Sequence, residues 1–320
     1  MFWTILTYVL FFVGFVFLIK GADLLVDGAS SIAKKYGISS FVIGITIVAF
    51  GTSMPELLVN IFSSAQGASE LAIGNVIGSN LSNILLVLGV SAFIFPLGLA
   101  RGTVWKAIPL SVLAVIMVLV MANDNIIENR AFSELSRIDG LVLIAFFSIF
   151  LYYTFGIGKI PEEDGRIETI PMTKAVIFVV LGMIGLLIGG KWIVDGAIFM
   201  AAQVGISEAL IGLTIVAIGT SLPELAASAV AAYKKKADIA IGNVIGSNIF
   251  NIFWVLGLSA IVKPLQYSVS LNMDVIILIF ISLLLFMFMF VGKRHILEKW
   301  QGFTFVAVYI SYVLYLIYRG

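Results

Sequence analysis

Two glutamates, Glu56 and Glu224, stand in the middle of long apolar runs. Each follows a proline in the same setting, Gly51-Thr52-Ser53-Met54-Pro55-Glu56 and Gly219-Thr220-Ser221-Leu222-Pro223-Glu224. An ionisable side chain at membrane depth costs on the order of 2.5–3.5 kcal/mol by insertion scales, and no lysine or arginine lies at comparable depth to pair with either one. A helical proline lacks an N–H and clashes with the carbonyl four residues back, here Gly51 or Gly219. The backbone carbonyls around Ala49–Gly51 and Ala217–Gly219 should therefore turn away from helical pairing, and broken helices persist in lipid only where protein or a hydrated cavity satisfies them. Thr52, Ser53, Thr220 and Ser221 add hydroxyls on the same turns.

A second pair of segments supplies a facing wall. Asn75, Ser79 and Asn83 fall at i, i+4 and i+8 on one helical face, and Asn243, Ser247 and Asn251 repeat the pattern. Carboxylates, hydroxyls, amides and carbonyls make an all-oxygen set, which suits a hard cation. Calcium, with many loosely arranged oxygen ligands, fits better than magnesium, which keeps its water. Two negative charges match one Ca²⁺ and would equally attract two or three Na⁺. A site that either ion can neutralise, but not both together, is the physical basis of exchange. Each feature has a plainer reading when taken singly: a protonated, hydrogen-bonded glutamate, an ordinary proline kink, an asparagine that glues helices. Their symmetric recurrence weighs against those readings.

The elements that must carry these residues follow from composition. Of 320 residues 61% are hydrophobic and only 12% charged, against about 45–50% and about 25% in soluble domains. With a mean hydropathy of +1.13, the chain reads as an integral membrane protein whose first partner is the lipid bilayer. A net charge of +1 offers nucleic acid no general attraction, and the absence of cysteine removes thiolate metal sites, disulfides and thiol nucleophiles. The single histidine, His295, sits in a Lys-Arg-His run and reads as a solvated loop residue. With no histidine, cysteine or lysine base at depth the chain does not read as an enzyme, and no cofactor or obligatory protein partner is implied. The N-terminal run has no basic n-region or cleavage site and is expected to remain as a first span.

Stretches of about 20 apolar residues number ten, near 3–22, 40–64, 70–96, 104–122, 138–156, 173–193, 208–232, 238–262, 272–292 and 301–318, with the first and sixth able to run on toward Ala33 and Ala201. They are continuously apolar and lack strand alternation, so the expected class is an all-α membrane protein. With both termini outside, the inner loops hold thirteen lysines and arginines and the outer loops four, Arg130, Arg137, Lys263 and Arg319. A charged linker, residues 156–173, separates residues 1–155 from residues 174–320, five spans each.

The two halves repeat. At an offset of 168 residues, positions 26–97 align without a gap onto 194–265 with 38 of 72 identical, including GNVIGSNLSNI at Gly74–Ile84 and GNVIGSNIFNI at Gly242–Ile252. Five spans per half is an odd number, so the copies must enter the membrane from opposite sides. The basic run Lys234-Lys235-Lys236 stands where its partner loop, Ala65 to Glu70, has no base. Inverted-topology repeats are a transporter architecture with the site near the midplane; a cation channel is the other reading. Gly74-x-x-x-Gly78 and Gly242-x-x-x-Gly246 allow close helix approach. Lys191 with Asp195, and Lys20 with Asp23 or Asp27, read as ordinary pairs near helix ends.

The paired GTSxPE and GNxxGSNxxN motifs resemble the α-repeats of the cation/calcium antiporter superfamily, specifically the prokaryotic sodium/calcium exchangers, and the resemblance spans nearly the whole chain. It implies ten helices, alternating access, and sliding of the first and sixth helices past a fixed eight-helix core. It further implies that Glu56 and Glu224 are shared Ca²⁺ and Na⁺ ligands, completed by Thr52, Ser53, Thr220, Ser221, Ser79, Ser247, Asn83 and the carbonyls of Ala49 and Ala217, with Asn251 the partner of Asn83. Several archaeal and potassium-dependent relatives resemble this chain but carry Asp where it has Asn251. Asparagine in both halves matches the potassium-independent exchangers. The family expectation is electrogenic exchange of three Na⁺ per Ca²⁺ in a prokaryotic plasma membrane. A Ca²⁺/H⁺ antiporter is the alternative, though relatives devoted to it carry their glutamate in a different context.

Overall fold

The computed structural model describes residues 2–157, 170–203 and 217–319. Helix α1 (Phe2–Tyr36) leads into α2 (Ser40–Thr52) and α3 (Met54–Gln66), which meet at a bend of 47°. Then come α4 (Ser69–Ile94), α5 (Thr103–Met121), the short α6 (Asp124–Ile127) and α7 (Arg137–Ile157). The second half holds α8 (Met172–Gln203), α9 (Ala217–Thr220), α10 (Leu222–Tyr233), α11 (Ala237–Val262), α12 (Asn272–Phe288) and α13 (Lys299–Arg319). Among the described residues eight helices are long and apolar enough to cross a membrane, and the bent α2–α3 pair makes a ninth span if counted as one. The remaining expected span, 208–232, falls partly on residues outside the described set. The expected extensions of the first and sixth spans are present, since α1 reaches Tyr36 and α8 reaches Gln203.

Burial sorts the helices into layers. The most apolar windows of α4 and α11 are 72% and 83% buried, whereas that of α13 is 22% buried. The two motif helices form the centre. The periphery presents Phe12, Val16 and Ile19 of α1 and Phe303, Ile310 and Leu314 of α13 outward, as lipid-facing side chains do. Within α4 and α11 the backbone widens to π-helical pairing at Asn83–Leu88 and Phe250–Leu256, and α2 does so at Gly44–Val48. Such local widening recurs at functional sites.

Helices α1 and α8 pack along most of their length through glycine. A Cβ added at Gly21 would lie 2.8 Å from the Gly182 carbonyl, one at Gly182 2.6 Å from the Leu25 nitrogen, and one at Gly189 2.6 Å from the Leu18 nitrogen. Backbone meets backbone at these positions, while toward the ends side chains of one helix fill the glycine gaps of the other, as Phe11 does at Gly196 and Phe178 at Gly28. The second Gly-x-x-x-Gly pair behaves as expected: added Cβ atoms at Gly242 and Gly246 would each lie 2.7 Å from α2 atoms. For Gly74 and Gly78 the corresponding neighbours, 168 positions on from Phe41 and Ile45, lie outside the described residues.

Two small antiparallel clips join the halves. β1 (Leu97–Gly98), just after α4, pairs with β4 (Ile296–Leu297), just before α13, in the register Leu97↔Leu297. β3 (Leu265–Gln266), just after α11, pairs with β2 (Glu134–Leu135), just before α7, in the register Leu135↔Leu265. Each half thus clasps the turn before the last helix of the other. His295 belongs to the first clip: its carbonyl accepts from the Leu99 N–H at 2.8 Å. Its ring is half-buried against Phe290, and Nε2 has no partner. This corrects the expectation of a solvated loop residue, because strand pairing draws the turn against α12.

The ion pairs also differ in part from expectation. Lys191 and Asp195 pair at 3.0 Å, but Asp23 and Asp27 of α1 turn to the basic run after α10. Lys234 reaches Asp23 at 2.5 Å and Asp27 at 2.8 Å, and Lys236 reaches Asp27 at 3.1 Å. Partial burial pulls the Lys234 ammonium down, but its hydrogen bonds to Asp23 and Asp27 outweigh that, so its pKa stands above the usual lysine value.

Candidate cation site

Each motif interrupts its helix, as the proline and glycine spacing leads one to expect. Ser53 (φ −84°, ψ 9°) and Ser221 (φ −85°, ψ 2°) form the junctions, in the sparsely populated bridge region. Pro55 and Pro223 then sit in the first turn of a new helix, where a missing N–H costs nothing. Glu56 and Glu224 fall in those same first turns, facing the positive end of the helix dipole, which favours a carboxylate. The sequence Gly-Thr-Ser-x-Pro-Glu therefore does two jobs, ending one helix and placing an acid at the start of the next.

The first broken turn differs from the expected release of carbonyls. The Ala49 carbonyl keeps its helical bond from the Ser53 N–H at 3.0 Å and also accepts from the Thr52 hydroxyl at 3.3 Å. At the second break the Ser221 N–H donates to Ile218 at 3.1 Å, three residues back, so this turn is tighter. Ala217 opens α9.

The carboxylates are 1% (Glu56) and 0% (Glu224) exposed. Glu224 Oε1 accepts from the Ser53 hydroxyl across the two halves at 3.1 Å and from the Ser247 hydroxyl at 3.4 Å. Glu56 Oε1 accepts from Ser79 at 3.4 Å, and the Ser79 hydroxyl stands 3.5 Å from that of Thr220. Thr52 donates to Asn243 Oδ1 at 3.0 Å and lies 3.4 Å from the Ser247 hydroxyl. Thus Thr52, Ser53, Glu56, Ser79, Thr220, Glu224 and Ser247 form one polar cluster in the middle of the helices. Asn83 and Asn251 lie one turn further along α4 and α11, both fully buried.

None of the ion pairs among the described residues involves Glu56 or Glu224, and no group of three or more His, Cys, Asp or Glu side chains forms among them. Buried polar atoms almost always have partners, yet Glu56 Oε2, Glu224 Oε2, Asn83 Oδ1, Asn251 Oδ1 and Ser221 Oγ have none. Four of these five are oxygens that can only accept. Two negative charges and a set of open acceptors are what a hard cation of charge +2, or several of charge +1, would satisfy.

Sequence reasoning missed the support around this cluster. Asn243 Nδ2 donates to Ser228 at 2.9 Å and to the Glu224 carbonyl at 3.4 Å, and Asn60 Nδ2 donates to the Glu56 carbonyl at 3.0 Å. Asn60 and Ser228 are partners at the 168-residue offset, a signal that identity counting discards. Asn80 and Asn248 lie in the same motifs but outside the i, i+4, i+8 spacing that singles out Ser79 and Asn83.

Comparison with known proteins agrees with this geometry. The chain is 34% identical to the sodium/calcium exchanger MaX1 of Methanosarcina acetivorans, over 97% of this chain and 98% of that one. It is 38% identical to the uncharacterized membrane protein MJ0091 of Methanocaldococcus jannaschii, over 94% of each. A structure of the sodium-calcium exchanger NCX_Mj soaked with 2.5 mM Na⁺ and 0.1 mM Ca²⁺ superposes with a TM-score of 0.83 at 36% identity, covering 97% of this chain and 98% of that one. The family described as sodium/calcium exchanger protein matches residues 6–156 and 174–318. The chain is a multi-pass membrane transporter, not an enzyme, and it belongs to the sodium/calcium exchanger family.

Proposed function

We propose that the protein is a secondary active antiporter that exchanges Na⁺ for Ca²⁺ by alternating access, electrogenically and without potassium. The observation that carries this reading is the pair of buried carboxylates, each with one oxygen lacking a partner, at matching helix breaks. Their combined charge of −2 can be balanced by one Ca²⁺ or by two Na⁺, and a third Na⁺ would add a net positive charge to each cycle. Each net charge moved couples transport to voltage by about 2.3 kcal/mol per 100 mV. Asparagine at both 83 and 251 keeps the site at two acids, which speaks against a further monovalent cation such as K⁺.

In this reading residues 1–155 and 174–320 are five-helix repeats of inverted topology joined by the cytoplasmic linker 156–173, ten spanning helices in all. The base distribution favours both termini outside a prokaryotic plasma membrane. Glu56 and Glu224 serve both ions. Thr52, Ser53, Thr220, Ser221, Ser79, Ser247, Asn83, Asn251 and the carbonyls of Ala49 and Ala217 complete the sites. The α1–α8 pair is the element that moves past the other eight helices, as one unit held together by its close glycine contacts.

The experiment is calcium uptake into proteoliposomes that contain the purified chain alone, loaded with sodium and diluted into sodium-free buffer, with voltage set by a potassium ionophore. Uptake should require internal sodium and rise with an inside-positive potential. Glu56→Gln and Glu224→Gln should each reduce it to background while remaining monodisperse. Uptake that ignores sodium and follows a proton gradient would identify a Ca²⁺/H⁺ antiporter instead. Conductance with no obligatory counter-ion would identify a channel.

A further inference from the structure

Four asparagines of the two GSNxxN segments, Asn80, Asn83, Asn248 and Asn251, meet where α4 and α11 face each other, all of them buried. Asn80 Nδ2 donates to the backbone carbonyl of Asn248 at 3.2 Å. A carbonyl can only accept, so this bond determines which way the Asn80 amide lies. Its Oδ1 then accepts from Asn251 Nδ2 at 3.1 Å. Across the same contact, Asn83 Nδ2 donates to Asn248 Oδ1 at 3.1 Å. Asn83 and Asn251 have therefore each committed the amide nitrogen to the opposite half, and the Oδ1 of each has no partner.

Packing cannot choose between the two orientations of an amide, because its oxygen and its NH₂ are nearly the same size; only hydrogen bonding can. Reversed, Asn83 or Asn251 would present two N–H donors, positive at their tips, to whatever the open oxygens now face. Both residues sit one turn along the same helical face from Ser79 and Ser247, whose hydroxyls bond Glu56 and Glu224. We propose that Asn80 and Asn248 are positioning residues: by taking the amide nitrogens of Asn251 and Asn83 they present two amide oxygens to the transported cation. Outer partners of this kind are how ligand orientation is held at metal sites generally. The arrangement also couples the halves, since the ligand of each is aimed by a residue of the other. The inference rests on the cation site proposed above.

The test is a mutant cycle read by radioactive calcium binding to the purified protein in detergent, with uptake measured separately. Asn80→Leu removes the acceptor for Asn251 and should weaken apparent Ca²⁺ affinity about tenfold, the scale of one hydrogen-bonded ligand. In an Asn251→Asp background the side chain at 251 has oxygen on both arms and needs no aiming, so adding Asn80→Leu should cost less than about threefold. A structural role would produce the same loss in both backgrounds, and that outcome overturns the proposal, as does no loss in either. Asn248→Leu with and without Asn83→Asp repeats the test from the other half. If the leucine variants do not fold, Asn80→Ala and Asn248→Ala carry the same cycle: a loss of about tenfold alone and less than about threefold in the aspartate background supports the proposal, and an equal loss in both overturns it. Calcium binding without sodium-driven uptake would refute the exchange reading alone. A wild-type protein that binds no calcium would refute both.

Discussion

Substituting alanine along α8 should produce a graded series whose sign depends on distance to the facing helix, α1 or α10. At Gly182 an added Cβ would lie 2.6 Å from the Leu25 nitrogen and 2.8 Å from both the Gly21 carbonyl and the Leu25 Cβ. Two of those neighbours are backbone, so no side-chain rotation relieves the contact. Restoring an ordinary separation of about 3.4 Å means parting the helices by about 0.8 Å, and overpacking of that kind costs roughly 1–3 kcal/mol. At Gly185 the nearest atoms would be 3.1 and 3.2 Å away, a strain of a few tenths of an ångström that should nearly cancel the alanine gain. At Gly190 the nearest atoms are Pro223 ring carbons at 3.8 and 3.9 Å. Alanine fits there, and its helix propensity should stabilise by up to about 1 kcal/mol. Thermal unfolding of the three variants in detergent, followed by intrinsic fluorescence, should rank Gly190→Ala above wild type, Gly185→Ala near it and Gly182→Ala below it. Because the α1–α8 pair is proposed to move as one unit, parting its helices by Gly182→Ala should also slow sodium-driven calcium uptake more than it weakens calcium binding. Equal melting shifts for Gly182→Ala and Gly190→Ala would refute the reasoning, since the two differ in separation and not in chemistry.

The network of Lys234 and Lys236 with Asp23 and Asp27 should contribute little energy but persist over a wide pH range. Its side chains are 20–43% exposed, so Asp27→Asn should cost no more than about 1 kcal/mol. Since the Lys234 pKa is raised on folding, its contribution is full below the unfolded lysine value of about 10.4 and is lost as pH rises through the higher folded value. The melting difference between wild type and Lys234→Ala should therefore stay constant from pH 6 to pH 9, about the neutral range; a difference that vanishes by pH 8 or so would contradict this. Asn123 and Asn272 exchange reciprocal amide bonds of 2.9 and 2.7 Å between the end of α5 and the start of α12, with the Tyr267 hydroxyl donating to Asn272 at 2.7 Å. Either single leucine substitution should cost about 1–3 kcal/mol by stranding its partner, and the double substitution should cost less than the sum. Simple additivity in the melting data would dismiss the pair as a unit.

Much of this protein is written locally. Hydropathy marks the spans because a helix in lipid must be apolar over its own length, whatever its neighbours. Pro55 and Pro223 mark the helix breaks because the defect is covalent, a missing N–H, and no packing can restore it. The two acids, their hydroxyls and the 168-residue repeat follow from residue identity alone, and the structure brings most of that predicted set into one buried cluster. Other features required the fold. Nothing in the sequence chose Lys234 over nearby Lys20 as the partner of Asp23 and Asp27, because the choice depends on where α10 ends beside α1. Nor could it separate the role of Asn80 from that of Asn83, three residues apart and chemically identical. One has its amide bonded on both sides, and the other keeps an open oxygen. That difference arises only where α4 faces α11, since an amide's orientation is decided by partners 165–171 residues away in the chain, beyond the reach of any local pattern.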